Sequence, residues 1–213
     1  MQLDIVIDVV CPWCYVGKKQ LDEALLLRPD SITAKRYRPY QLAPETPLEG
    51  VSRKEYYRKK FGEGSPQLAA MREHLLSRAD ALGISFDFDS DCTIANTLDA
   101  HRVIRWAFSA GVQDAVVDDL MKRYFEECAF LGDLTLLSDV AGKAGMDKVL
   151  VAELLASDKD KAAVQQEVQD AQKMGVQGVP MFIFNEKAGV SGAQEADVLV
   201  GVIDKIVAEN ASL

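Results

Sequence analysis

The chain has 213 residues, of which 48% are hydrophobic and 27% charged, so it is long and apolar enough to bury a sizeable core. Its formal net charge of −9 argues against nucleic acid as a partner, because an acidic surface repels phosphate groups. No apolar run is long enough to span a bilayer and no signal-peptide pattern follows Met1, so we expect a cytoplasmic protein with no membrane partner.

The first segment of the chain predicts a strand, a helix, a second strand and a loop. Residues 3–9 are rich in β-branched side chains, as strands are. Apolar residues at helical spacing begin at Trp13, and the sequence Arg28-Pro29-Asp30 ends that helix. Residues 32–40 alternate as a strand does, and the loop 41–50, which contains two prolines, indicates a domain boundary.

Helical patterns dominate the middle of the chain. Ser52 and the Ser65-Pro66 pair are typical of helix N-termini, and they predict helices that run toward Phe61 and Gly83. Further helices are predicted from Asn96 or Thr97 to about Gly111, and over residues 113–130, 134–144 and 147–156. We therefore expect residues 49–156 to form an inserted all-helical domain.

The last segment returns to a mixed pattern. Ser157 or Asp158 would cap a helix that ends near Gly175, and residues 179–184 are typical of a strand. A hairpin turn, a short return strand and a helix over residues 193–208 follow. Residues 1–48 and 157–213 are thus predicted to be the two parts of one α/β domain.

The sequence Cys11-Pro12-Trp13-Cys14 lies where the first strand gives way to the first helix. Unpaired N–H groups and the helix dipole favour a thiolate at a helix N-terminus, and a second cysteine one turn later can form a disulfide with it. The motif predicts thiol–disulfide exchange, with Cys11 as the nucleophile and Cys14 as the resolving thiol. Pro12 and Trp13 are candidate substrate contacts.

A zinc site is the main alternative for a C-x-x-C pair. Its second half would need another such pair or two closely spaced histidines, whereas His74 and His101 lie far apart in the sequence. We therefore expect no metal. Cys92 and Cys128 stand alone, and free cysteines of this kind are most often buried apolar fillers.

Several other residues have two interpretations. Asp8 precedes the motif and either moves protons to and from Cys14 or forms a solvated strand end or cap. His101 either forms a helix-surface or interdomain hydrogen bond or lines a substrate cleft, and Tyr15 is a candidate border of the active-site groove. The basic residues after the loop form a solvated helix face or an anion contact; they are Arg53, Lys54, Arg58, Lys59 and Lys60.

A proline opens the apolar strand near the end of the chain, at Val179-Pro180. Proline cannot donate a hydrogen bond to a neighbouring strand, so its presence there needs a reason. One such reason is a cis peptide bond, which redirects the preceding backbone.

The two motifs, in this order, resemble the thioredoxin superfamily, and the succession of elements resembles its DsbA-like branch. Four fragments resemble FrnE-like proteins in particular: DVVCPWCYVGK (8–18), NTLDAHR (96–102), GVQGVP (175–180) and SGAQ (191–194). The resemblance implies a thioredoxin-like fold with an inserted helical domain. It also implies a protein disulfide oxidoreductase or isomerase that acts on disulfide-containing proteins or low-molecular-weight thiols.

The resemblance also assigns roles to individual residues. Pro180 would be the cis-proline that sits across from Cys11 and helps keep metals off the cysteines, and the backbone of Val179 would pair with a bound substrate. No cofactor is required, although glutathione is a candidate redox partner. Kappa-class glutathione transferases and 2-hydroxychromene-2-carboxylate isomerases share this branch but usually carry serine where this chain has Cys11. Such a glutathione-dependent enzyme, or a redox-responsive chaperone or binding module, is therefore the alternative.

Overall fold

The computed structural model contains both helices and strands, as the periodicity of the sequence predicts. It describes residues 1–211 and the side chains of residues 1–209. In chain order the elements are β1 (Gln2–Ile7), α1 (Pro12–Leu27), β2 (Ala34–Pro39), β3 (Val51–Ser52), α2 (Arg53–Phe61), α3 (Pro66–Asp80), β4 (Thr93–Ile94), α4 (Leu98–Ser109), α5 (Gln113–Glu126), α6 (Leu134–Lys143), α7 (Lys148–Leu155), α8 (Lys161–Lys173), β5 (Met181–Phe184), β6 (Ala188–Ser191) and α9 (Ala196–Ala211). The end of the predicted second part, Ser212 and Leu213, lies outside the described residues.

Within the described residues, β1 is a central strand of a four-stranded sheet whose order is β2-β1-β5-β6. It runs parallel to β2 and antiparallel to β5, so that Ile5 lies opposite both Tyr37 and Phe182. Side chains alternate between the two faces of a strand. Ile5 and Phe182 therefore enter the main core, whereas Val6 packs on the other face against Ala171 of α8. Burial on both faces explains why β1 is almost continuously apolar.

Local signals correctly predict most helix starts. The side chains of Ser52 and Ser65 accept hydrogen bonds from backbone N–H groups three residues on, which caps α2 and α3. The start of α8 differs from the prediction, because the Ser157 hydroxyl donates to the Leu154 carbonyl at the end of α7 and the N-cap is Asp160. The β3–β4 pair was not predicted, since two-residue strands are too short to show a period.

The helical segment packs directly on the sheet domain. Helix α4 lies against β2 and α8, and the Gln113 side chain accepts from the Tyr37 N–H and donates to the Ile104 carbonyl. Arg102 of α4 is fully buried, and its guanidinium donates to backbone carbonyls at the α7–α8 junction. These contacts fix α4 relative to β2 and α8. The domain boundaries at 48/49 and 156/157 stay a prediction.

Cys92 and Cys128 form a disulfide, so the prediction that they are separate apolar fillers is wrong. Their Cα atoms lie 5.2 Å apart although 36 residues separate them in sequence. The chain reverses after α5, where Cys128 has a φ of +56°, and this reversal brings it beside the residue that precedes β4. The spacing of two isolated cysteines in a sequence does not predict that the chain will bring them together.

A buried lysine holds α1 against α5. Lys18 is 1% exposed, and its ammonium group lies 2.7 Å from Asp22, 2.9 Å from Asp118 and 3.7 Å from Asp114. Asp114 also accepts a hydrogen bond from the Tyr37 hydroxyl at 2.7 Å. Burial alone would raise the pKa of Asp114, but hydrogen bonds from Lys35 and Tyr37 outweigh it and hold that pKa below its ordinary value.

No helix among the described residues is both long and apolar enough to cross a membrane.

We expect the Cys92–Cys128 disulfide to stabilise the fold. A disulfide that closes a loop of this length restricts the unfolded chain. Removing such a bond typically lowers the free energy of unfolding by roughly 2–4 kcal/mol. Urea unfolding of Cys92→Ser/Cys128→Ser should therefore give a lower free energy of unfolding than the parent. Both proteins should carry Cys11→Ser and Cys14→Ser, so that the two differ in this bond alone. Equal stabilities would contradict the expectation.

Asp114 should make acid stability depend on pH in a defined direction. A carboxyl group whose folded pKa is depressed contributes stability that is fully present above its unfolded pKa of about 3.9 and disappears as the pH falls through the folded value. The stability difference between the parent and Asp114→Asn should therefore be largest near neutral pH and shrink below about pH 4. Thermal unfolding across this range measures it, and a difference that grows toward acid pH would refute the assignment.

Candidate active site

The two cysteines of the motif occupy the first turn of α1. Cys11 is the N-cap, and Pro12 takes the first helical position, where its missing N–H needs no partner. The turn after β1 is closed by a hydrogen bond of 3.0 Å from the Cys11 N–H to the Asp8 carbonyl. Both thiols are free; Cys11 is 5% exposed, whereas Cys14 is fully buried. The first cysteine is therefore the one that a substrate can reach.

The surroundings of Cys14 keep it protonated. Burial raises the pKa of the Cys14 thiol well above its ordinary value, and the neighbouring Cys11 raises it further; a hydrogen bond with the Asp8 backbone opposes this, and the charge of Asp8 adds to it. A buried thiolate without a compensating charge is unfavourable. Cys14 must therefore lose its proton to a base before it can act as a nucleophile.

Residues from the far end of the chain complete the surroundings of Cys11. The Val179-Pro180 peptide bond is cis, and the Cys11 thiol donates to the Val179 carbonyl across 3.5 Å. Gly17 of α1 packs closely against this loop. A Cβ atom at this position would lie only 2.8 Å from Cγ of Pro180, so a larger residue would clash with the proline. Sequence reasoning overlooked Gly17; a glycine within an otherwise helical pattern was the available signal.

Asp8 and His101 meet in the interior beside the motif. Asp8 has no exposed surface, and its Oδ2 accepts a hydrogen bond of 2.8 Å from the Leu42 N–H. Its Oδ1 lies 3.4 Å from Nε2 of His101, which in turn lies 2.9 Å from the Tyr40 carbonyl. Asp8 is therefore not a solvated strand end. His101 is 2% exposed, which fits an interdomain hydrogen bond and not a helix surface or an open cleft wall.

The two aromatic residues of the motif region face different surroundings. Trp13 is half-buried, and its ring centroid lies 5.2 Å from that of His74 on α3. Tyr15 instead turns toward α5, where its hydroxyl donates to Glu126 at 2.6 Å and its ring stacks on Phe125. It lines a cavity of about 250 Å³ whose lining includes neither cysteine nor Pro180. The expectation that Tyr15 borders the cysteine groove is not met, because packing draws its side chain into the helical segment.

Helix α2 carries the predicted basic cluster and also Tyr57, which sequence reasoning did not single out. Lys54, Arg58, Lys59 and Lys60 are exposed, as expected of a solvated face, but Arg53 is buried and donates to the Asp87 and Ser90 carbonyls. Burial raises the pKa of Tyr57 to about 12; the charge of Cys11 adds to this effect and that of Arg53 opposes it. Tyr57 thus lies within electrostatic reach of Cys11.

Asp87, Cys92 and Cys128 form the one potential metal-ligand cluster among the described residues, with ligand atoms within 4.8 Å of one another. Both sulfur atoms are bonded to each other, so neither is available as a thiolate ligand. The expectation that the protein needs no metal stays a prediction.

Solved structures support the same fold. A probable DsbA oxidoreductase from Streptomyces coelicolor is 28% identical, with a TM-score of 0.88 over 98% of this chain and 91% of that one. A 2-hydroxychromene-2-carboxylate isomerase is 18% identical, with a TM-score of 0.70 over 100% and 98% of the two chains. The cytosolic disulfide reductase DsbM from Pseudomonas aeruginosa, solved with GSH, is 15% identical, with a TM-score of 0.64 over the full length of both chains.

Sequence comparison gives the family. No curated protein sequence matches the chain significantly. The model of the DSBA-like thioredoxin domain matches residues 2–204, which is nearly the whole length. Together with the observed thioredoxin-like sheet and the motif at the start of α1, this match shows that the chain belongs to the DSBA-like thioredoxin domain family.

Proposed function

We propose that the protein is a thiol–disulfide oxidoreductase that uses Cys11 and Cys14 as its reactive dithiol. The observation that carries the proposal is the asymmetry of the pair. Cys11 is the more accessible thiol, at a helix N-terminus and 3.5 Å from the Val179 carbonyl, and Cys14 is a buried thiol one turn on. This arrangement suits a nucleophile and a resolving group. Its substrates are disulfide-containing proteins or low-molecular-weight disulfides.

The reaction has two exchange steps. The Cys11 thiolate attacks one sulfur of the substrate disulfide, which forms a mixed disulfide and releases the other sulfur as a thiolate. Cys14 then loses its proton and attacks Cys11, which forms the Cys11–Cys14 disulfide and releases the second substrate thiolate. The substrate gains two electrons and the protein loses two. Oxidation of a substrate dithiol follows the same steps in reverse.

Neighbouring residues have distinct roles in this scheme. Asp8 is the base that accepts the Cys14 proton, because it is buried beside the motif and its charge already affects Cys14. The half-buried Val179 and Trp13 contact the substrate chain on either side of Cys11, and Pro12 and Pro180 shape that surface. Tyr15 and His101 are not substrate contacts in this scheme, since the Tyr15 hydroxyl bonds to Glu126 and the His101 ring lies against the Tyr40 carbonyl and Asp8.

Glutathione is the proposed electron donor, and no bound cofactor is required. The structure of DsbM, which was solved with GSH, supports this choice. A cysteine at position 11 favours dithiol chemistry over the glutathione-dependent isomerase alternative. The cytoplasmic location stays a prediction. A cytosolic relative favours it, whereas the Cys92–Cys128 disulfide is of a kind that the cytosol rarely maintains.

Insulin reduction with glutathione as donor tests the proposal. The parent should turn over, Cys11→Ser should lose the activity, and Cys14→Ser should stop after the first step and accumulate a mixed disulfide detectable by mass spectrometry. Cys92→Ser/Cys128→Ser is the matched control and should retain activity while folded. An unchanged rate in Cys11→Ser would overturn the proposal.

Activity that survives Cys14→Ser would favour glutathione-dependent transferase or isomerase chemistry, and redox-dependent client binding without turnover would favour a chaperone.

Alkylation should separate the roles of the two thiols. Iodoacetamide reacts with thiolates, and the raised pKa of Cys14 keeps that group protonated at neutral pH. In the reduced protein, Cys11 should therefore be modified first, and Cys14 should react much more slowly even in Cys11→Ser. Peptide mapping by mass spectrometry at successive times measures the order. Faster labelling of Cys14 would contradict the assignment.

A further inference from the structure

A buried carboxyl–imidazole pair connects the helical segment to the cysteine motif. Asp8 lies in the turn after β1, and His101 lies in the first turns of α4, 93 positions away in the chain. Their side chains are 0% and 1% exposed, with Asp8 Oδ1 3.4 Å from His101 Nε2. Such a pair is costly to bury, because polar groups lose their hydration and must be compensated inside the protein. Its position next to the motif indicates a role in the chemistry.

The hydrogen bonds define the proton on the imidazole. His101 Nε2 lies 2.9 Å from the Tyr40 carbonyl, which can only accept, so Nε2 carries a hydrogen. Nε2 also lies 3.4 Å from Asp8 Oδ1, a close contact that lacks hydrogen-bond geometry. Asp8 Oδ1 and His101 Nδ1 are buried atoms without a conventional hydrogen-bond partner among the described residues. Each of these two atoms therefore has an acceptor site that is open to a further hydrogen bond.

The two oxygens of Asp8 are approached by groups from different elements. Oδ2 accepts the N–H of Leu42, in the loop after β2, and Oδ1 faces the imidazole of α4. Two such contacts restrict both the position and the rotation of the carboxyl group. Asp8 lies directly beside the motif, because its backbone carbonyl accepts the Cys11 N–H at 3.0 Å. The charge of its carboxylate acts to raise the pKa of the Cys14 thiol and of Tyr124 in α5.

We propose that His101 is a positioning residue, which holds the Asp8 carboxylate where it can take the proton of Cys14 during resolution of the mixed disulfide. This inference rests on the proposed dithiol function and adds a residue of the helical segment to it. The Cys14 thiol gives its proton to Asp8, the Cys14 thiolate attacks the sulfur of Cys11, and the substrate thiolate leaves. Asp8 then returns the proton to solvent, so that charge and electrons balance.

Ellman's reagent separates the two chemical steps in one experiment. Attack by Cys11 on this aromatic disulfide releases one coloured thiolate, and attack by Cys14 on the mixed disulfide releases the second. The reduced protein should carry Cys92→Ser and Cys128→Ser, so that only the two reactive thiols contribute. Stopped-flow absorbance then gives an attack rate and a resolution rate for each variant.

His101→Leu should slow the second phase by about tenfold or more, because it weakens proton transfer, and leave the first phase unchanged. His101→Gln, whose amide N–H can still donate at this position, should recover part of the lost rate. Asp8→Asn should slow the second phase at least as much. The double variant should be no slower than Asp8→Asn alone if His101 acts through Asp8.

The outcomes distinguish failure of this inference from failure of the function. Equal slowing of both phases in His101→Leu, with no rescue by glutamine, would mean that the residue is merely structural. An unchanged second phase would also overturn the inference, and both results leave the dithiol function intact. Absence of the first phase in the parent would instead overturn the proposed function. Circular dichroism of each variant establishes that it is folded, and His101→Gln provides the test if His101→Leu is not.

Discussion

The contact between the Cys11 thiol and the Val179 carbonyl joins segments 168 residues apart, and the arrangement of the site depends on it. It follows from the antiparallel pairing of β1 with β5, in which Val6 lies opposite Met181. Antiparallel pairing places the end of one strand beside the start of the other. The motif that follows β1 therefore meets the proline loop that precedes β5. Gly17 allows α1 to approach that loop closely enough for the contact.

The helical segment supplies partners for polar groups that the sheet domain buries. His101 faces Asp8, and Gln113 bonds to the backbone of Tyr37 in β2. A buried polar group that loses its hydrogen-bond partner destabilises the folded protein by roughly 1–3 kcal/mol, because its lost hydration is not replaced. Residues of the helical segment thus form hydrogen bonds with backbone groups of β2 and of the residue that follows it.

The two cysteine pairs differ in whether local or tertiary structure brings their members together. Cys11 and Cys14 lie within the first turn of α1, where local helix geometry places them close together. Cys92 and Cys128 come together only in the folded protein, and they tie the start of β4 to the end of α5. The Cys92 carbonyl also accepts the Arg53 N–H at 2.7 Å, so the bond anchors the start of α2 as well. This helix also carries Tyr57, whose pKa the charge of Cys11 helps to raise.

The sequence by itself determined most of the helices and strands and the C-x-x-C pair at the start of α1. Strand and helix periods, serine caps and the C-x-x-C spacing are local patterns, and each is set by residues a few positions apart. What only the tertiary structure decided are the meetings of distant residues: the Cys92–Cys128 bond, the burial of Arg53, the turn of Tyr15 toward Glu126 and the contact of His101 with Asp8. These depend on how helices and strands pack together, and that packing is the sum of many weak contacts to which no single stretch of sequence contributes a readable signal.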